Sequence, residues 1–92
     1  MSILARFTPV SVSLATYEES IRRLEGGDFE WPPDGMEIHV CFGPDDDIRV
    51  SEVWASKEQF AAFGEHLMPV LADLGIEVSE PEVLEVHNVI KG

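Results

Sequence analysis

The sequence predicts a single α+β domain over residues 1–92, a ferredoxin-like fold with the element order βαββαβ. Two observations predict it: one order of strand, helix and strand is used twice, and apolar residues alternate with polar ones in the strands. Two such right-handed units interleave into an antiparallel sheet in the order four, one, three, two. Both helices then lie on one face of that sheet.

The first strand covers an apolar run at residues 3–10, which Pro9 and a serine cluster end. The first helix follows it. Ser13 and Thr16 are both suited to cap this helix, and the sequence leaves the choice between them open. The glycine pair at 26–27 ends the helix.

A loop and a hairpin occupy the middle of the chain. Two prolines next to Trp31 make residues 28–35 an extended loop, which either closes over a cavity or packs statically. Residues 36–42 alternate between apolar and polar side chains, the pattern of a strand with two different faces. An acidic turn joins this strand to a third strand from residue 48, so the two form an antiparallel hairpin.

The second helix begins at Ser56, because Ser56 and Gln59 fit a capping box, and an apolar stripe continues to Gly75. Pro69 removes one backbone hydrogen bond from this helix and is expected to kink it. Residues 83–90 alternate again and predict the fourth strand.

The charge balance excludes several classes of partner. Eighteen Asp and Glu against six Lys and Arg give a formal charge of -12, a field that repels nucleic acid and anionic membrane surfaces alike. The chain has one cysteine, Cys41, and no apolar run long enough to span a bilayer, so we expect a cytoplasmic protein. A sheet with helices on one face leaves the other face uncovered, which favours a homodimer.

Strand alternation predicts a polar cluster on the uncovered face of the sheet. The apolar residues at even positions 36–42 are expected to face the helices, as are Leu84 and Val86 of the fourth strand. Histidines beside carboxylates can act as general bases, but the alternative, ion pairs and hydrogen bonds that fix the dimer register, is the commoner origin of such clusters. The polar side chains expected to share the uncovered face are Arg6, Glu37, His39, Glu85 and His87.

Three further residues are candidate ligand contacts, and each has a structural alternative. Glu52 and Trp54 end the third strand, where a tryptophan more often closes the core beneath a helix than stacks on a ligand. His66 flanks the apolar stripe of the second helix, either at a cavity mouth or simply half exposed. The spacing of histidines and carboxylates matches no metal motif and no Gly-rich phosphate loop is found, so we expect neither metal nor cofactor.

Two segments of the sequence resemble a known superfamily. Val-Ser-Glu-Val-Trp-Ala-Ser-Lys-Glu-Gln-Phe-Ala-Ala-Phe at 50–63 and Glu-Val-His-Asn-Val-Ile at 85–90 are similar to the dimeric α+β barrels, and the whole chain resembles small bacterial proteins near the antibiotic biosynthesis monooxygenase domains. The resemblance implies a homodimer with a small-molecule cavity in each protomer. Members of the superfamily oxidise polyketide phenols without metal or flavin, cyclise polyketides or degrade haem. The first strand here lacks the asparagine of the haem-degrading branch.

Two functions follow from the residues and the resemblance together. In a cofactor-independent monooxygenase or cyclase acting on an aromatic, polyketide-like substrate, His39 or His87 removes a proton and Arg6 steadies the anion. Glu37, Glu85 and the candidates of the third strand and second helix then contact the ligand. The alternative is a non-catalytic dimer that binds a small hydrophobic ligand or another protein. An enzyme needs a cavity of about 300 Å³ or more that reaches solvent beside a histidine.

Overall fold

The computed structural model describes residues 2–92, and its six elements follow the predicted order. The sheet order is β2-β3-β1-β4 with every neighbouring pair antiparallel, so the predicted ferredoxin-like α+β fold is confirmed. The elements are β1 (Ile3–Phe7), α1 (Leu14–Glu25), β2 (Met36–Phe42), β3 (Arg49–Trp54), α2 (Lys57–Asp73) and β4 (Glu82–Glu85).

The main core lies between the sheet and the two helices. Ile3 and Ala5 of β1 and Trp54 of β3 pack with Leu24 of α1 and Phe63 of α2, and all five are buried. Trp54 has no exposed surface at all, so the structural alternative stated for this residue is the one observed. Because the helices contribute to one cluster, they cover one face of the sheet and leave the other open.

Both helices begin at serine caps. The Ser13 hydroxyl oxygen accepts a hydrogen bond from the backbone N–H of Thr16 at 3.2 Å, which decides the alternative left open by the sequence. Ser56 accepts from the N–H of Gln59 at 3.2 Å, as the capping box predicts. The second helix continues through Pro69 to Asp73. Within residues 2–92, neither helix is long and apolar enough to cross a membrane.

The first and fourth strands are shorter than predicted. β1 ends at Phe7, and Pro9 forms an isolated bridge with Val78 instead of continuing the ladder. β4 ends at Glu85 rather than at residue 90. The pairing explains this end, because Ile3 at the start of β1 already lies opposite Glu85 and leaves later residues without a partner strand.

A β-bulge in β2 is the largest departure from the prediction. Met36 pairs with Trp54 but Ile38 pairs with Val53, so β2 carries one extra residue, Glu37, within this interval. Side chains alternate along a strand, and one extra residue moves every later side chain to the opposite face. The predicted faces are therefore wrong for all of β2 beyond the bulge.

The bulge exchanges the polar and apolar faces of β2. His39 and Cys41 lie opposite Glu52 and Val50 and face the helices, where they were predicted to face away. Val40 and Phe42 lie on the open face, and 47% and 43% of their surfaces are exposed.

The predicted faces of β4 are wrong as well. Val83 lies opposite Ala5 and packs against the core, because directly opposed residues of an antiparallel pair share a face. Leu84 lies opposite Leu4 and is 45% exposed on the open face. The open face is consequently richer in apolar residues than predicted: Leu4, Ile38, Val40, Phe42, Val53 and Leu84.

Candidate functional site

His39 is the centre of a hydrogen-bonded chain between the sheet and α1. The Tyr17 hydroxyl oxygen lies 2.6 Å from His39 Nε2, and His39 Nδ1 lies 2.6 Å from Glu52 Oε2. Trp54 Nε1 donates to Glu52 Oε1 at 3.0 Å. We call these four residues, Tyr17, His39, Glu52 and Trp54, the polar chain.

The donors and acceptors of the polar chain have a consistent direction. An indole N–H can only donate and a carboxylate can only accept, so Glu52 accepts from both Trp54 and His39 Nδ1. Neutral His39 then presents the lone pair of Nε2 to Tyr17, whose hydroxyl donates to it. A histidine held in this tautomer has its basic nitrogen directed away from the carboxylate.

Glu52 is a carboxylate in a nearly dry position. Its residue surface is 3% exposed, because it lies on β3 between Val50 and Trp54 and faces the helices. Burying a carboxylate costs several kcal/mol unless hydrogen bonds replace its water. The two bonds from His39 and Trp54 meet that need, and within residues 2–92 no buried side-chain polar atom lacks a partner.

Tyr17 is held as a protonated phenol. Burial, then the neighbouring Cys41 thiol and the Glu52 carboxylate, raise the pKa of Tyr17 to about 12. Burial also raises the pKa of Cys41, and the neighbouring Tyr17 hydroxyl opposes only part of that rise. At neutral pH both groups are therefore uncharged, and the Tyr17 hydroxyl can donate.

The polar chain borders an apolar cavity between the sheet and the helices. Its volume is about 70 Å³, and its apolar walls include Phe7, Ile21, Leu24, Trp31, Phe63 and Leu67. A cavity that binds benzene has a volume of roughly 150 Å³. The cavity beside His39 is therefore too small for an aromatic ligand as it stands, and it falls short of the size set above for an enzyme.

Three of the predicted site residues lie on the open face, apart from His39. Arg6 forms an ion pair with Glu82. Glu37 accepts a hydrogen bond from the Ser2 hydroxyl at 2.6 Å. His87 and Glu37 border a shallow groove of about 380 Å³ on this face. The predicted cluster is thus divided between two sides of the sheet.

Two other predicted residues lie at separate rims. Glu85 borders a cleft with Val83 and the start of α2 at Lys57. The His66 ring stacks on the Phe29 ring at 4.2 Å on the outer side of α2, in a third cleft of about 200 Å³. Neither residue lines the cavity beside His39.

Tyr17 is the site residue that the sequence analysis missed. Tyr17 lies on α1 with its side chain towards the sheet, and it was not among the residues singled out from the sequence. A tyrosine on a buried helix face needs a hydrogen-bond partner for its hydroxyl, and that need was the available signal. Among residues 2–92, no three His, Cys, Asp or Glu side chains converge as a metal site requires.

Comparison with known proteins identifies the fold. No protein-family model matches the chain, and no curated protein matches it. Among solved structures, SnoaB, a cofactor-independent oxygenase from Streptomyces nogalater, is 18% identical over 99% of this chain and 96% of its own, with a TM-score of 0.60. A Chloroflexus aurantiacus protein, provisionally assigned as an antibiotic biosynthesis monooxygenase, is 15% identical over 99% and 97% of the two chains, with a TM-score of 0.59.

A third solved structure is similar over the same extent. Rv0793 from Mycobacterium tuberculosis is 15% identical over 98% of this chain and 97% of its own, with a TM-score of 0.57. These similarities confirm the ferredoxin-like α+β fold, which this chain shares with a cofactor-independent oxygenase. At such identities the fold is shared while the chemistry of each site has to be argued from its own residues.

Proposed function

We propose that this protein binds a small, uncharged aromatic or enolic molecule between its sheet and helices and removes a proton from it, as a cofactor-independent monooxygenase or cyclase would. The observation that carries the proposal is the His39–Glu52 pair at the polar end of an otherwise apolar cavity. The fold shared with a cofactor-independent oxygenase supports it.

The His39–Glu52 pair has the arrangement of a general base. Glu52 fixes the tautomer of His39 and stabilises the imidazolium that forms when Nε2 takes a proton. A deprotonated phenol or enol is the electron-rich form that reacts with dioxygen in an oxygenase, or with a carbonyl carbon in a cyclase. One proton transfer would therefore serve either reaction.

The cavity has to enlarge before it can take such a ligand. Trp31 belongs to the loop at 28–35, lines the cavity and contacts the Phe63 ring at a centroid distance of 6.4 Å. We propose that a rotation of Trp31 away from Phe63 enlarges the 70 Å³ cavity. We therefore assign the loop at 28–35 the role of a lid.

The open sheet face is proposed to form the homodimer. Val40, Phe42 and Leu84 are 43–47% exposed there. A small domain has a thin core, and a contiguous exposed apolar patch on it is typical of an interface. A second copy would cover these residues. Arg6, Glu37 and His87 then belong to the interface, and we propose His39, not His87, as the base.

A second candidate function is a non-catalytic dimer that binds a small hydrophobic ligand or another protein. Two observations favour it: the cavity of about 70 Å³ lies well below the size of a substrate pocket, and each member of the polar chain already has its partner. In this case the polar chain serves to tie α1 to the sheet. Arg6, His66, Glu85 and His87 then have roles in contacts with a partner.

Oxygen uptake decides between the two candidates. Wild type, His39→Ala and His87→Ala would be compared on a panel of anthrones and quinols, with dioxygen consumption as the readout. Catalysis by His39 predicts a loss of about 10²-fold or more in His39→Ala, the usual contribution of a general base, and a retained rate in His87→Ala. Equal rates in all three proteins exclude both histidines from the chemistry, and no oxygen uptake by wild type argues against the monooxygenase and favours the second candidate.

A further inference from the structure

We propose that Tyr17 is the catalytic residue that touches the substrate, and that its hydroxyl passes the substrate's proton to His39. This inference rests on the proposed function and names the proton path within that site. Its starting point is that Tyr17 is the residue of α1 whose hydroxyl contacts His39, and that it lines the cavity.

Both nitrogens of His39 are already engaged. Nδ1 is 2.6 Å from Glu52 and Nε2 is 2.6 Å from the Tyr17 hydroxyl. An imidazole nitrogen has one lone pair in the ring plane, so Nε2 cannot accept a second proton donor while Tyr17 donates to it. A substrate could reach Nε2 directly only if Tyr17 moved away.

The Tyr17 hydroxyl is suited to pass a proton on. A phenolic oxygen donates one hydrogen bond and accepts others, so it can donate to His39 and accept from a substrate hydroxyl at once. As the substrate O–H bond breaks, its proton forms a new bond to the Tyr17 oxygen. In the same step the original Tyr17 proton moves to His39 Nε2.

The products of this step balance. The substrate becomes a phenolate or enolate, Tyr17 is again a neutral phenol, and His39 becomes an imidazolium paired with the Glu52 carboxylate. Burial keeps Tyr17 from persisting as a tyrosinate, since its pKa is raised to about 12. The two proton movements are therefore concerted, and the new positive charge lies beside a carboxylate that is 3% exposed.

Carbon-13 NMR can test the relay because Tyr17 is the single tyrosine of the chain. The protein would be labelled at the tyrosine Cζ carbon and titrated with 4-nitrophenol, whose phenolate is yellow and whose phenol is nearly colourless. The relay predicts that binding shifts the Tyr17 Cζ resonance and raises the phenolate fraction of bound probe by about tenfold or more at a pH below the probe's own pKa.

Two variants separate the relay from a structural role. In Tyr17→Phe the probe should bind more weakly, because its hydroxyl loses an acceptor, and the phenolate fraction of the bound probe should fall to that of the free probe. Glu52→Gln should bind and lose part of the phenolate signal. Retained phenolate in Tyr17→Phe, or binding to wild type with an unmoved Tyr17 resonance, overturns the relay alone. No binding to wild type overturns the proposed function and the relay together.

Discussion

The substitution Glu52→Gln tests whether the buried carboxylate of the polar chain stabilises the fold by anchoring His39. A glutamine has nearly the same shape, but it offers one acceptor and one donor where the carboxylate offers two acceptors. If its oxygen faces Trp54, its NH₂ group faces His39 Nδ1 and forces the other tautomer of the imidazole. If the glutamine amide is flipped, its NH₂ group faces the Trp54 indole N–H, and neither donor has an acceptor.

The magnitude follows from the two bonds that lose charge assistance. A hydrogen bond to a charged group contributes about 1.5–3 kcal/mol and a neutral one about 0.5–1.5 kcal/mol, so two bonds lose roughly 2 kcal/mol together. Relief from burying the carboxylate offsets part of this. We expect a net loss of about 1–2 kcal/mol, which lowers Tm by roughly 4–16 °C in a domain of this size.

The assay is thermal and urea unfolding of wild type, Glu52→Gln and the matched control Glu80→Gln. Glu80 is exposed, so its substitution removes the same charge from an acidic protein without touching the polar chain. The control should stay within about 0.5 kcal/mol of wild type. A Glu52→Gln protein as stable as the control, or more stable, would refute the argument that the carboxylate anchors His39.

Three further predictions concern pH, assembly and the lid. The absorbance of the single tyrosine should titrate with a midpoint near pH 12; because the unfolded chain loses this proton from about pH 10, stability should fall as pH rises from 10 towards 12. A flat stability over that range contradicts the raised pKa. Phe42→Glu should raise the Kd of self-association, measured by sedimentation, by about 30-fold or more, which corresponds to about 2 kcal/mol at an interface. The control Glu80→Gln should leave this Kd unchanged. Added salt should strengthen the proposed dimer of wild type, because each copy carries a charge of -12. An unchanged Kd in both tests argues against the open face as a dimer interface. Trp31→Ala should speed 4-nitrophenol binding in stopped flow, because the side chain proposed to cover the cavity is gone. An unchanged binding rate contradicts the proposed lid.

The sequence predicted the order of the elements because periodicity and capping are local properties. Ser56 and Gln59 lie three residues apart on one turn, and that spacing is sufficient to start α2. The sheet order followed from handedness and connection rules that hold for any βαβ unit. Local patterns and general topology rules therefore account for the fold.

The faces of β2 could not be predicted in the same way. The bulge at Glu37 inserts a residue without glycine or proline to mark it, and pairing with β3 reveals it. One non-local signal was available. Glu52 lies on the same strand face as Val50 and Trp54, so it had to be buried and to need a donor, and His39 meets that need only after the register shift. The need of buried Glu52 for a donor would have placed His39 on the helix side of the sheet, whereas alternation along β2 placed it on the open face.

The protonation of His39 tests the central claim, that the bulge brings this histidine between Tyr17 and Glu52. Nitrogen-15 NMR of the three histidines, assigned with His66→Asn and His87→Asn, distinguishes the two neutral tautomers. The structure predicts a proton on Nδ1 of His39, shared with Glu52, and a bare Nε2 that accepts from Tyr17. A proton on Nε2, or rapid exchange between the tautomers as in an exposed histidine, would contradict the account.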